Sequence, residues 1–359
     1  MHNYLMSPKP LEHLNFFLIT WGTFLVAAAI SFIIQVTRSQ QIRSLRQFVG
    51  FCFPFKEWTS KSARVDIVLY VVGKLTSRFW DFVFPAIIAV LCGVAGNYLN
   101  HMFPDHVALP INVFTIALCA LIVFLFVDFA NFYSHYLQHF VPVLWELHKV
   151  HHSATFLNPL TTKRMHPLGD LFDAIVAAVL VSIPMIAMAY FFHFSLADLL
   201  LLEGIANTLG TIIVLDALRH SSIPVSFGAF DRIFLSPHMH QVHHSSLLHH
   251  WDMNFGNKLS VWDYMFHTAI KPARGEHLVL GLTKNEHMQY TSPVSAYLRP
   301  ITNIGRLIVR KRPEAAGPET WRQTAHRWGA GILWRPSAEA SKQAPPQSEN
   351  IAPLSQASA

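Results

Sequence analysis

Histidines with the spacing of metal ligands gather in the middle of this 359-residue chain. His135 and His139 are four residues apart, so on a helix both imidazoles lie on one face. Two HxxHH clusters follow, whose members are three and four residues apart and therefore also share a helical turn. The first cluster is His148, His151 and His152, and the second is His240, His243 and His244.

These imidazoles predict a metal site with more than one ion. Imidazole binds iron, copper, nickel and zinc, and a single ion cannot use all the rings of the pair and the two clusters. A non-specific metal-binding tract would be low in complexity. Here apolar residues such as Trp145, Leu147, Val150 and Val242 alternate with the histidines. The pattern therefore favours packed helices around a pair of metals.

The composition indicates that a membrane carries this site. Only 13% of the residues are charged and 52% are hydrophobic, whereas soluble domains carry about 25% charged residues. The three cysteines are scattered, which argues against a disulfide framework and a cysteine metal site. The net charge of +6 is dispersed between apolar runs, so it indicates an anionic membrane surface and no nucleic-acid partner.

Apolar runs predict about four to five membrane-embedded helices. Leu14–Val36 is interpreted as a retained anchor, and the short run Val65–Val72 as an interfacial helix. The last two runs could form a hairpin that crosses the bilayer or one that only dips into it. The remaining predicted spans are Phe79–Leu99, Ile111–Phe126 continuing to Tyr133, Leu171–Phe194 and Leu196–Leu215.

Charge in the loops predicts the orientation. Lys and Arg are in excess over Arg38–Arg78, which marks a cytoplasmic segment, while Asn100–Pro110 contains neither. All histidine clusters then emerge on the cytosolic face. The predicted fold is an all-α integral membrane protein with a cytosolic, helical, histidine-rich catalytic cap. The predicted parts are an anchor region with a basic loop (1–110), a catalytic domain (111–270), a cytosolic extension (271–335) and a disordered tail (336–359).

Taken together, these motifs resemble the integral membrane fatty acid hydroxylase and sterol desaturase superfamily. The resemblance extends from about Asp128 to Thr268. Asp128-Phe129 precedes the first histidine pair, and Leu144-Trp145 precedes His148. Further matching residues are Ser153, Asn158, Thr161, Arg164, His166, Pro167, Pro237, Ser245, Asn254, Gly256 and Trp262-Asp263.

The resemblance adds residues to the predicted site. Some relatives have another histidine pair before the last cluster, so His220 is a predicted ligand and Asp216 only a possible one. Asn158, Arg164 and His166 are expected to orient ligands or a substrate head group. Asp128 is expected to accept a hydrogen bond from an imidazole N–H. The sequence departs from many relatives at Tyr136, where they have arginine.

The resemblance also implies a function. It implies a non-haem centre of two iron ions that uses O2 and external electrons to hydroxylate an aliphatic C–H bond of a membrane lipid. A desaturase with the same centre is the alternative, and ether-lipid cleavage is neither favoured nor excluded. The electron donor is expected to be a separate protein, either cytochrome b5-like or a ferredoxin with its reductase. The expected location is a bacterial inner membrane, with the endoplasmic reticulum as the alternative, and the oligomeric state is left open.

Other functions make different demands on the sequence. A non-enzymatic metal-binding or transport protein would place its ligands inside several spans, along a path. A bis-histidine haem protein needs facing histidines within spans, and Leu14–Val36 and Phe79–Leu99 contain none. A zinc protease would require HExxH, which is absent. The oxygenase hypothesis fits the positions of the histidines best.

Overall fold

The chain folds into long apolar helices that carry a helical cap at one end. The structure is a computed structural model, and it describes residues 21–33 except 23 and 27, and residues 44–309 except 272, 274 and 275. The predicted anchor Leu14–Val36 is described only in part, where Phe24–Ile33 forms a short apolar helix. The predicted tail 336–359 lies outside the described residues.

The described residues are mostly α-helical. The short 3₁₀ helices are Pro159–Lys163, Gly228–Arg232, Leu248–His250 and Thr283–Tyr290. The α-helices are α1 (Leu45–Cys52), α2 (Phe55–Trp58), α3 (Lys61–Met102), α4 (Val113–Phe140), α5 (Pro142–His152), α6 (Pro167–Phe192), α7 (Leu196–Ile213), α8 (Asp216–Arg219), α9 (Pro237–His243), α10 (Val261–Met265) and α11 (Pro293–Val309).

Four helices are long and apolar enough to cross a membrane. They are α3, α4, α6 and α7, with 42, 28, 26 and 18 residues. At 1.5 Å per residue, even α7 extends about 27 Å, close to the thickness of a bilayer's hydrocarbon core. The part of the chain that the structure describes contains two isolated β-bridges and no strand. The prediction of an all-α membrane protein with about four to five embedded helices is confirmed.

The prediction of a separate interfacial helix at Val65–Val72 is wrong. Those residues lie inside α3, which begins after the N-cap Ser60 and continues without a break to Met102. Its length of about 63 Å is roughly twice a bilayer core. The first turns of α3 therefore extend into the cap, where Val65 and Leu69 pack with Val150 of α5.

The two helical hairpins meet at the end away from the histidines. The loop between α3 and α4 packs on the turn between α6 and α7. The backbone N–H of Leu109 donates to the carbonyl of Phe191 (2.8 Å), and the His106 ring stacks on Tyr190 with centroids 4.2 Å apart. A left-handed residue, His193 (φ 53°), ends α6 at this turn. Both hairpins thus return the chain to the histidine end.

A closely packed apolar core holds the four long helices together. Ile88 of α3, Val123 of α4, Val181 of α6 and Leu199 of α7 are almost fully buried and belong to one cluster. Burying such side chains contributes about 1.5–3 kcal/mol each in water, although packing contacts replace that driving force in lipid. The bundle therefore fixes the C-terminal end of α4, where the first histidine pair lies.

Candidate metal centre

The structure brings all nine predicted histidine ligands together in two adjacent groups. Ring nitrogens within each group lie within 4.8 Å of one another. Seven of the nine side chains are buried, and the two from α4 are partly buried. The first group is His135, His139, His148, His152 and His243; the second is His151, His220, His240 and His244.

Both HxxHH clusters are divided between the two groups. His148 and His152, four residues apart on α5, face the first group, while His151 faces the second. On α9 the assignment is reversed, because His240 and the adjoining His244 belong to the second group and His243 to the first. A helix advances 100° per residue, so neighbouring histidines point to different sides. Each cluster therefore spans the boundary between two sites.

The distances between ring nitrogens fit ligands around shared metal ions. Nε2 of His135 lies 3.1 Å from Nε2 of His148, and the His139–His152 pair is equally close. In the second group, Nε2 of His220 lies 3.2 Å from that of His151 and 3.0 Å from that of His240. Two nitrogens bound at right angles, about 2.1 Å from one ion, would lie roughly 3.0 Å apart.

Hydrogen bonds outside the groups orient several of the rings. Nδ1 of His135 donates to the carbonyl of Phe255 (2.9 Å), and Nδ1 of His243 donates to the carbonyl of Met253 (2.7 Å). Such bonds place the proton on Nδ1 and leave Nε2 unprotonated, as metal binding requires. Nε2 of His243 is buried and has no hydrogen-bond partner among the described residues. The inward nitrogens are thus arranged to bind a cation.

Burial keeps the histidines of the two metal groups neutral. Desolvation lowers the pKa of His151 to about 3 and that of His220 and His244 well below its ordinary value, and neighbouring histidines lower it further. The same direction holds for His148, His152, His240 and His243. Neutral imidazoles are the form that binds metals. The electrostatics therefore agree with the geometry.

A loop after the second cluster supplies the carbonyls that orient His135 and His243. Asp263 of α10 fixes this loop by accepting hydrogen bonds from the backbone N–H groups of Phe255 (2.7 Å) and Gly256 (2.8 Å). A Cβ at Gly256 would lie 2.7 Å from this carboxylate. Asp263 was recognised only as part of a motif, and no spacing rule indicated that it supports metal ligands from behind.

Asn158 and Arg164 support α5 from outside the metal groups. The Arg164 guanidinium is almost fully buried and donates to Asp66 of α3 (2.8 Å) and to the carbonyl of Val150 on α5 (2.9 Å). Asn158 donates to the second oxygen of Asp66 (2.7 Å). Sequence reasoning missed Asp66. The available signal was an acid within the short apolar run Val65–Val72.

Two other predicted supporting residues, Asp128 and His166, make contacts outside the metal groups. Asp128 accepts hydrogen bonds from the backbone N–H groups of Lys258 and Leu259 and from Trp262 Nε1, and no imidazole bond to it is found among the described residues. The expectation of an imidazole partner is therefore wrong. His166 caps the N-terminus of α6 and lies outside both metal groups.

Asp216 also lies outside both metal groups. Its carboxylate forms an ion pair with Arg219 one helical turn later. His220, the next residue after Arg219, is held by a contact of 3.1 Å between its Nδ1 and Thr162 Oγ1. His220 therefore lies in the second group, whereas Asp216, the possible additional ligand, lines a cavity.

A third, smaller cluster lies apart from the two metal groups. His249 Nε2 lies 2.9 Å from a carboxylate oxygen of Glu276, and His250 Nε2 lies 3.4 Å from the same oxygen. The His249 side chain is 59% exposed, so this cluster is open to solvent on one side. It must be controlled for when bound metal is counted.

A polar cavity opens between the long helices beside the centre. Its volume is about 600 Å³, and it lies between α3, α4, α6 and α7. Asn131 lines it one helical turn before His135, and Arg219 lines it immediately before His220. The inner wall of the cavity and the wall of the metal centre are therefore formed by the same short stretches of chain.

Comparisons with known proteins agree with the motifs. Residues 120–268 match the fatty acid hydroxylase family. The ornithine lipid hydroxylase OlsE of Rhizobium tropici is 26% identical over 232 residues, which cover 64% of this chain and 63% of that protein. Alkylglycerol monooxygenases of Caenorhabditis elegans and Homo sapiens are 25% and 28% identical over 45% of this chain.

The aligned segments cover 29% and 32% of those two monooxygenases, so the chain spans less than two thirds of the length of any of these three relatives. No solved structure matches the chain. The family match and the resemblance found from the motifs cover nearly the same residues, and both histidine groups lie within them. Residues 120–268 of this chain therefore match a fatty acid hydroxylase domain, by motif and by family model alike.

Proposed function

We propose that this protein is a membrane-bound, non-haem di-iron oxygenase that hydroxylates an aliphatic C–H bond of a membrane lipid. The observation that carries the proposal is the division of nine histidines into groups of five and four with close ring nitrogens. The relatives' names describe a hydroxylase and monooxygenases of lipids, which supports the same reaction class.

The histidines would hold the two ions, one in each group. Bound iron would supply the redox chemistry for activating O2 and breaking an unactivated C–H bond, which zinc lacks. The chain's own contribution is positional. The carbonyls of Phe255 and Met253 fix the tautomers of His135 and His243, and the pair of Arg164 with Asp66 fixes the end of α5.

The polar cavity supports a substrate that arrives from the bilayer. Apolar residues of the long helices, such as Phe84, Val181 and Leu200, line the cavity together with polar residues near the centre. A lipid could therefore keep its chains among the helices while its reacting carbon approaches the metals. The histidine groups lie at one end of the bundle, whereas a transport path would need ligands distributed along the spans.

The proposal extends to the partners and the location of the protein. We propose a separate electron donor, cytochrome b5-like or a ferredoxin with its reductase, that docks on the cap. We also propose a bacterial cell membrane with the cap on the cytosolic side, because the segment before α3 is rich in Lys and Arg.

Metal analysis and product analysis test the function. Protein purified under anaerobic conditions and reconstituted with iron-57 should contain two irons per chain by Mössbauer spectroscopy. Cells that express it should accumulate a lipid heavier by one oxygen, and cells that express His148→Ala should not. A product lighter by two hydrogens would assign desaturation instead. Failure to bind iron stoichiometrically after reconstitution would refute the proposal.

A further inference from the structure

The polar cavity contains more charge than a neutral lipid requires. Ionisable residues within a membrane bundle are costly and commonly mark a substrate pathway. Here several of them surround one space of about 600 Å³, a volume typical of small-molecule sites. The charged residues that line the cavity are Asp173, Glu203, Asp216, Arg219 and Lys258.

Among these five charged residues, one ion pair forms. Asp216 pairs with Arg219, which also donates to the backbone and side-chain oxygens of Asn257. Lys258 is only 5% exposed, yet its ammonium makes no hydrogen bond or ion pair with any residue that the structure describes. Glu203 on α7 likewise has neither kind of partner within the described ranges. At the cavity wall Asp216, Asp128 and Glu203 act on the Lys258 ammonium only through longer-range electrostatics. The ammonium therefore remains available for direct contact with a negatively charged group of a ligand.

The fold holds this lysine in place. The backbone N–H of Lys258 donates to the Asp128 carboxylate on α4 at 2.8 Å. Its side chain passes across α7 at Gly210, where a Cβ would lie 2.5 Å from Lys258 Cδ and 2.7 Å from Phe124 Cε2. Any side chain larger than glycine would displace the lysine stem. The lysine stem is therefore held between α4 and α7, at the wall of the cavity.

Lys258 also borders a second, apolar pocket. That pocket has a volume of about 240 Å³ and is lined by α4 and α7 side chains such as Leu121, Ile205 and Leu209. Lys258 thus lies where an apolar space and a charged space meet. An amphiphile has the same division, with hydrocarbon on one side and a polar group on the other.

We propose that the cavity binds the head group of a zwitterionic lipid, which carries an ammonium and an oxyanion. Glu203 and Asp173 face the ammonium, and Lys258 faces the oxyanion. This proposal rests on the proposed function and narrows its substrate class. Because Asn131 and Arg219 join the cavity to the metal ligands, the carbons nearest the head group lie closest to the centre.

Binding without turnover tests this proposal. Iron-loaded protein in nanodiscs is titrated anaerobically with a short-chain N-acyl-lysine, which has a free carboxylate and a free ammonium. Three comparison probes are its carboxylate methyl ester, its ammonium-acetylated form and a short-chain 1-O-alkylglycerol. Hydrogen bonds to charged groups contribute enough that capping either charge should weaken binding about 10- to 100-fold. The alkylglycerol should bind more weakly than the zwitterion.

Variants assign each charge to its partner. Glu203→Gln should weaken the preference for the free ammonium, because Asp173 remains, and leave the preference for the carboxylate. Lys258→Gln should abolish the preference for the carboxylate and leave that for the ammonium. Asp105→Asn, in the loop at the other end of the bundle, is the matched control and should change neither. Thermal unfolding and iron content show whether each variant is folded. Equal affinity for the zwitterion and its capped forms, or tighter binding of the alkylglycerol, would overturn the proposal.

A further probe distinguishes the two sources of an oxyanion. Short-chain phosphatidylethanolamine carries a phosphate where N-acyl-lysine carries a carboxylate. Tighter binding of either, with the same response to the two variants, supports a zwitterion and names its oxyanion. If zwitterions bind but no lipid is oxidised, the cavity assignment stands and the proposed function fails. If a neutral lipid is oxidised and zwitterions do not bind, the function stands and this proposal fails.

Discussion

Replacing single histidines should remove one metal at a time. His148 belongs to the group of five and His151 to the group of four, although the two residues are only three apart on α5. His148→Ala should therefore empty one site and His151→Ala the other. Four-ligand zinc sites in small domains bind with about 10–16 kcal/mol, or roughly 2.5–4 kcal/mol per ligand. Losing one ligand should then weaken a site on the order of 10²–10³-fold.

Metal content measures this directly. At a buffered free Fe²⁺ concentration about ten times the wild-type dissociation constant, both wild-type sites should be about 90% filled, giving roughly 1.8 irons per chain. Each single variant should retain about 1, and the double variant close to none. Iron-57 Mössbauer spectra of the two single variants should differ, because the iron left in each has a different number of imidazole ligands.

Controls make the count interpretable. Every protein carries His249→Ala, so that the cluster with Glu276 does not contribute metal. His238→Ala changes a histidine of α9 that lies outside both groups and should retain the wild-type content. If either single variant loses both irons while remaining folded, or if the double variant still binds one, the division into five and four ligands is refuted.

Three further predictions concern the support of the centre. Asp66→Ala leaves the buried Arg164 guanidinium without its carboxylate partner and should lower the free energy of unfolding by about 3–5 kcal/mol, as measured by chemical denaturation; an unchanged midpoint would contradict this. Gly256→Ala places a Cβ 2.6 Å from the carbonyl oxygen of Leu259; the displaced loop should lower iron affinity about 10- to 100-fold. The control is Gly228→Ala, where a Cβ meets no atom within 4 Å but φ is +66°. This control should lower the stability of the protein and leave its iron affinity unchanged. Metal-free protein should lose stability as the pH falls below about 6.5, because unfolding allows buried His151, whose folded pKa is about 3, to take up a proton; this residue alone contributes about 2 kcal/mol of loss at pH 5, and a melting temperature that does not change between pH 7.5 and pH 5 would refute the neutral state of the buried histidines.

The sequence predicted which histidines come together, but not how they divide between two groups. Spacing placed His135 and His139 on one helical face, and composition placed the site beside a membrane. However, the HxxHH spacing indicated only that three histidines share a helical turn, whereas His151 faces away from His148 and His152 toward the other group. Which ligand binds which metal depends on how α5 and α9 are rotated against each other, and that angle is a tertiary property.

Residues that act over long distances along the chain were the ones that sequence reasoning missed. Asp66 and Arg164 are 98 residues apart, and no local pattern links them. Asp263 supports the histidines by accepting a hydrogen bond from the loop backbone. Lys258 can reach the cavity wall only because Gly210 has no side chain to displace the lysine stem. Each of these roles depends on a contact between two elements, and the periodicity of a sequence does not predict which elements will be in contact.

The adjacency of His151 and His152 constrains how the two HxxHH motifs can vary. Because the two rings serve different groups, one peptide bond joins the two halves of the centre. Inserting or deleting one residue within either HxxHH would turn the following histidines by about 100° and direct them away from the group to which each belongs. Substitution of the intervening residues leaves the register intact. The arrangement of the centre therefore depends on the helical register of the histidines more than on the identity of the residues between them.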